Sequence, residues 1–152
     1  RRASEQASKA EPAYGRFMKR TLETHLDRHS STALGVFRII IGLLFTMHGT
    51  SKLFGWPSTG KPTVPLGTWP YWWGGVIEVV VGLLVLLGLF ARAAAFIGSG
   101  AMAFAYFTEH QPKGFWPLQN GGELAVLYCF ALLLIVFVGT GAFAVGRSRS
   151  EP

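Results

Sequence analysis

The stretch GVFRIIIGLLFTMHGTSKLFG, residues 35–55, is apolar enough to cross a bilayer, yet it holds Arg38, His48 and Lys52. About 20 helical residues cover the roughly 30 Å of hydrocarbon in a membrane. A charge facing that hydrocarbon costs several kcal/mol, so three basic side chains in one span need an explanation. Arg38 and Lys52 lie fourteen residues apart, close to four helical turns, and His48 precedes Lys52 by one turn. All three fall within roughly a quarter of the helix circumference. That face is expected to turn toward other helices.

Half of the 152 residues are apolar and only 14% are charged. The apolar ones collect in long blocks, which is the composition of a membrane protein. Four segments read as spans, at about residues 33–55, 72–90, 93–107 and 122–143. The third, AAAFIGSGAMAFAYF, is short and rich in small residues, which let helix backbones approach closely; Gly98 and Gly100 are expected to mark that contact. The fold expected is all-α, a transmembrane four-helix bundle over residues 31–146, with a basic tail at 1–30 and a short tail at 147–152.

The formal charge of +6 gathers ahead of the first span, at Arg1, Arg2, Lys9, Arg16, Lys19, Arg20 and Arg28. No nucleic-acid motif accompanies it, so the tail reads as a topology signal and no nucleic-acid partner is expected. Arg92 in the turn between spans two and three, and Arg147 and Arg149 after span four, fall on the same side. By the positive-inside rule both termini are cytoplasmic. The first ten residues read as disordered, and Phe17, Leu22 and Leu26 suggest an amphipathic surface helix before Ser30. No cleavable signal peptide is expected, because the first apolar run follows about thirty polar residues.

On the other side lie WPSTGKPTVPLGTWPYW and TEHQPKGFWPLQNGG, whose Pro and Gly cannot continue helices. Trp56, Trp69, Tyr71, Trp72, Trp73, Phe115 and Trp116 either anchor the outer helix ends at the headgroups or wall a ligand cavity. The single cysteine, Cys129, has no intrachain partner and reads as a small hydrophobe.

Acidic residues are available to answer the basic face: Glu78 in the second span, Glu109 at the end of the third and Glu123 at the start of the fourth. At about 1.5 Å per residue, Glu78 lies near 10 Å below the outer interface, about level with His48. Lys52, Glu109, His110 and Glu123 lie nearer the surface. His48, Lys52, Glu78 and Glu123 are therefore expected to form one polar cluster, either a network fixing helix register or a functional site. Arg38 is expected to snorkel to lipid phosphates at the inner face, where Arg92 also offers a lipid or partner contact. No metal site is expected, since no His-x-x-x-His or Glu-x-x-His pair occurs.

The segments FRIIIGLLFTMHGTSKLFG, GVIEVVVGLLVLLGLFARAAA and NGGELAVLYCFALLLIVFVGTGAFAV, with the Ala-rich helix between them, resemble the DoxX family of small four-helix membrane proteins. The likeness runs over about residues 33–145 and rests on an H-G-x-x-K-L end to the first span, E-x-x-x-G-x-L-L-x-x-G in the second and G-G-E-L-A opening the fourth. It implies a place in a bacterial or archaeal plasma membrane and an association with redox chemistry, and it carries the family's polar positions onto His48, Lys52, Glu78 and Glu123.

Two functional readings follow. In the first, the chain is an accessory subunit without an intrinsic cofactor, docked on a larger membrane redox or respiratory complex and presenting its outer loops to a soluble extracytoplasmic redox protein. In the second it is a subunit of a quinone-linked oxidoreductase of the thiosulfate:quinone type, with a quinone at the polar cluster. The first is favoured narrowly. A transporter is disfavoured by the polar gap between Arg38 and the outer cluster and by the lack of an inverted repeat.

Overall fold

The computed structural model describes residues 13–145, and they are all-α. Helix α1 runs Ala13–Phe54, α2 Tyr71–Leu87, α3 Ala91–Ala105, the single turn α4 Pro117–Asn120, and α5 Glu123–Val138. Among the described residues there is no strand. The expected disorder of the first ten residues and the tail at 147–152 lie outside the described residues.

Helix α1 begins well ahead of the expected span because no proline interrupts the sequence between residues 12 and 57. Its Glu23–Phe54 portion is long and apolar enough to cross a membrane, while α2 and α5 are apolar but shorter. The stretch expected as a separate amphipathic helix is continuous with this one; side chains before Glu23, Phe17 and Leu22 among them, lie outside the described residues. The helix stops at Gly55, which takes φ 70° and donates its N–H to Ser51 O at 3.0 Å.

Helix α2 ends at Leu87 in a Schellman turn, short of residue 90, where the second span was expected to end. Gly88 adopts φ 75°, its N–H bonds Val85 O at 3.1 Å, and the Leu89 N–H bonds Leu84 O at 3.0 Å. A Cβ at Gly88 would also lie 3.2 Å from Arg38 Cζ, so this position admits no side chain on either ground.

Helix α5 also ends early, at Val138, where the fourth span was expected to run to residue 143. Gly139 and Gly141 take φ 98° and 63°, and the chain turns back over the bundle end. There Ala142 N–H bonds Ser31 O at 2.8 Å and Val145 N–H bonds Leu87 O at 3.0 Å.

Helix α2 packs between α1 and α3, and α3 between α2 and α5; α1 and α5 meet more thinly. The α1–α2 contact is backbone-close, since a Cβ at Gly42 would fall 2.5 Å from Leu86 N and one at Gly49 2.6 Å from Gly75 O. The core joins Phe45, Val81, Val85, Ala94, Ala95, Met102, Tyr128, Leu132 and Ile135. Gly98 meets the expectation of a close contact, facing Val81 and Leu132, but Gly100 does not: nothing lies within 4 Å of a Cβ there. The outward faces carry exposed Ile40, Leu43 and Leu44 on α1, Val80 and Leu83 on α2, Phe96 and Phe104 on α3, and Leu127, Phe130 and Phe137 on α5.

Candidate functional site

Helix α1 distributes its basic side chains along one stripe: Arg38, Phe45 and Lys52 are spaced by seven, two turns each. Arg38 is fully buried, which corrects the expectation that it reaches lipid phosphates. Its five N–H groups are all engaged by backbone carbonyls. Nε bonds Thr140 O at 2.9 Å, Nη1 bonds Val85 O at 2.6 Å and Leu86 O at 2.5 Å, and Nη2 bonds Ala142 O at 3.3 Å and Phe143 O at 3.1 Å. Val85 and Leu86 belong to the last turn of α2, where the helix dipole favours a cation. The guanidinium therefore straps the 139–145 segment to α1 and α2, and that segment's early turn away from helix is what frees its carbonyls to meet it.

At the other end of the stripe, Lys52 Nζ donates to Glu78 Oε1 at 2.5 Å. The partners differ in burial, with 39% of the Lys52 side chain exposed and 4% of Glu78. The second oxygen, Glu78 Oε2, is buried and accepts no hydrogen bond. One turn before Lys52, the His48 ring meets Tyr128 edge-on, with centroids 5.4 Å apart, and Tyr128 also packs on Phe45 at 5.3 Å. His48 and Tyr128 both lie within electrostatic reach of Glu78. Tyr128 was not singled out in the sequence, although it shares the buried stripe of α5 with Ala125, Leu132 and Ile135.

Glu123 departs from the expected cluster. It is exposed in the first turn of α5 and makes no ion pair among the described residues. Depth alone placed it near Lys52, but it precedes Ala125 on the buried stripe by two residues, about 200° around the helix, which turns it outward.

Glu109 and His110 also stand apart from the Lys52–Glu78 pair. They sit in a π turn, Tyr106–His110, that follows α3. The Tyr71 hydroxyl donates to Glu109 Oε2 at 2.6 Å, and that bond raises the Tyr71 phenol above its ordinary pKa. His110 Nδ1 bonds Asn120 O at 3.2 Å. Asn120, buried, organises this loop by donating to Gly114 O at 2.7 Å and accepting from Gly122 N–H at 2.8 Å.

A cavity of about 390 Å³ lies between α2 and α3 with Lys52 and Glu78 in its wall and Tyr71 and Glu109 at its rim. Trp69, Tyr71 and Trp73 line it, whereas Trp56, Phe115 and Trp116 are exposed elsewhere. A second cavity, of about 840 Å³, occupies the opposite end, where Ser30, Arg92 and Thr140 converge. Arg92 is exposed there, while Arg147, Arg149 and the side chains of the basic residues ahead of Glu23 lie outside the described residues. Among the described residues no group of three or more His, Cys, Asp or Glu is arranged to hold a metal ion.

Comparison with known proteins supports the family over the first part of the expected likeness, and the G-G-E-L-A motif lies beyond the family match. The family model for DoxX matches residues 33–111. An uncharacterized protein of Haemophilus influenzae is 42% identical over 132 residues, covering 80% of this chain and 93% of that protein. An uncharacterized membrane protein of Mycobacterium tuberculosis is 28% identical over 130 residues, covering 75% and 79% respectively. No solved structure matches the chain.

Proposed function

The chain belongs to the DoxX family of membrane proteins, and from that premise we propose that it is a four-helix accessory subunit of a larger redox or respiratory assembly. It sits in a bacterial or archaeal plasma membrane with both termini cytoplasmic, and its Trp-rich loops face a soluble extracytoplasmic redox partner. The observation that carries this reading is the surface: large apolar side chains are exposed along α1, α2, α3 and α5, and α1 and α5 meet thinly. Such flanks suit contact with lipid and with neighbouring helices. Cys129, the only thiol in the sequence, is held by Ser99, whose hydroxyl lies 3.4 Å from Sγ and donates to Cys129 O at 2.9 Å. Storing electrons as a disulfide would therefore fall to a partner.

A second reading, a quinone-linked oxidoreductase subunit, is favoured by the cavity that the Lys52–Glu78 pair borders. Purification from the native membrane in mild detergent, followed by mass spectrometry and an activity assay, separates the two. Co-purifying redox subunits are expected. Donor-dependent quinone reduction by the isolated chain would replace the accessory reading with the enzymatic one.

A further inference from the structure

The rim of the α2–α3 cavity holds a carboxylate that no cation answers. Lys52 and Glu78 pair with one another, which leaves Glu109 over from the three charges on the lining, and Glu109 makes no ion pair among the described residues. Its Oε2 accepts the Tyr71 hydroxyl, while Oε1 accepts no hydrogen bond. Half-buried, Glu109 shares the cavity mouth with Trp69, Tyr71 and Trp73. Donors, in contrast, are in surplus: Lys52 gives Glu78 one of its three protons, and the Trp69 and Trp73 indole N–H groups have no partner among the described residues. The lining calls for a cation against Glu109 and an anionic acceptor against Lys52.

We propose that this cavity seats the head of a zwitterionic phospholipid, with its ammonium on Glu109 among the aromatic rings and its phosphate on Lys52. Charge sets the choice. A purely anionic head would meet two carboxylates for one ammonium, and a free cation would leave the spare Lys52 protons unmet. A primary ammonium can donate to Glu109 Oε1 and is drawn to the faces of Trp69, Tyr71 and Trp73, while Lys52 and the indole N–H groups can serve phosphate and ester oxygens. The volume of about 390 Å³ is that of a small ligand site. An acyl chain on that head also has a course to follow. Phe104 and Ile97 line the cavity, are exposed on its apolar flank, and precede Glu109 by five and twelve residues, so the flank descends roughly 18 Å from the rim along α3. A head at the helix end and a tail along the helix is how a phospholipid lies beside a span, and a soluble zwitterion would have no use for that flank.

The test mixes the purified chain in detergent with equal amounts of a phosphatidylethanolamine and a phosphatidylglycerol of the same acyl chains, and native mass spectrometry counts the lipid retained. The ethanolamine lipid should be retained about ten-fold more than the glycerol lipid, the combined worth of a partly exposed ion pair and a cation–π contact. Glu109→Gln should lower that ratio to about three-fold or less, and Glu109→Lys should invert it, with little change in melting temperature. Glu123→Gln, which removes an exposed carboxylate on another helix, should leave the ratio as it was. Equal retention of the two lipids by the unaltered chain, or a preference that survives Glu109→Lys, would mean that lipid is held only as a nonspecific annulus and would overturn the proposal. Displacement of the retained lipid by millimolar glycerophosphoethanolamine, which has the same charges and no chain, would assign the site to a soluble zwitterion and overturn the lipid.

Discussion

Removing Lys52 should damage the fold more than removing Glu78, because the two ends of their ion pair are unequally buried. Two unit charges in contact attract by about 4 kcal/mol at an effective dielectric of about 20, against a hydration penalty of several kcal/mol for each charge that is fully buried. Glu78 bears nearly all of that penalty, with 4% of its side chain exposed against 39% for Lys52. Lys52→Met leaves a buried carboxylate without a donor at either oxygen and should cost about 3–5 kcal/mol. Glu78→Gln leaves an ammonium that can turn to water, and an amide oxygen that can still accept from it, and should cost about 1–2 kcal/mol. The double variant carries no charge at the site and should fall within about 1 kcal/mol of Glu78→Gln alone. The four proteins can be compared by SDS-driven unfolding in mixed micelles, with tryptophan fluorescence as the readout. Single losses that simply add in the double variant would mean that the pair is not coupled. Greater damage from Glu78→Gln than from Lys52→Met would refute the argument from burial.

Arg38→Lys should cost about 2–4 kcal/mol in the same assay, since an ammonium has three donors for five carbonyls, and Arg38→Met should cost more; unchanged stability in both would remove the strap from the account of the fold. For orientation, cysteines placed at Ser58 and Gln119 in a Cys129→Ala background should react with an impermeant maleimide in intact cells, while one at Ser148 should stay protected. The reverse pattern would invert the topology and put the α2–α3 cavity on the cytoplasmic side.

The positions of the apolar helices were legible because composition and turn residues act locally. Gly55 with Pro57, and Gly88 with Leu89, end α1 and α2 within a few residues of the places their sequence suggests. Local signals fail at the end of α5, where GTGAF, residues 139–143, reads as further span. Arg38, about a hundred residues earlier in the chain, takes the Thr140, Ala142 and Phe143 carbonyls, and no window around those residues contains that information. The candidate site divides in the same way. Opposite charge and similar depth were enough to bring Lys52 to Glu78, and Glu78 shares a helix face with the buried Gly75, Val81, Gly82 and Val85. Depth was not enough for Glu123, because rotation about the helix axis decides which way a side chain points. The same rotational reading would have found Tyr128. Glu109 and His110 escape it, since the π turn that holds them breaks the helical period on which such a reading depends.

The basic stripe of α1 thus resolves into two different answers to one physical problem. A buried cation must be met by negative charge or by oriented dipoles. Arg38 is met entirely by dipoles: every N–H finds a carbonyl, two of them in the last turn of α2, and the guanidinium retains no donor for a ligand. Its geometry is closed, which suits a group that fixes how the helix ends meet. Lys52 is met by a full charge, and the match is incomplete on both sides, because the ammonium keeps spare protons and the carboxylate keeps an oxygen without a donor. Full satisfaction at one end and surplus capacity at the other distinguish a closed strap at Arg38 from an open pair at Lys52 and Glu78. Stability should follow the same division: substituting Arg38 with Lys, which strands carbonyls at a closed site, should lower the amount of folded protein more than substituting Glu78 with Gln, which leaves an exposed ammonium free to turn to water.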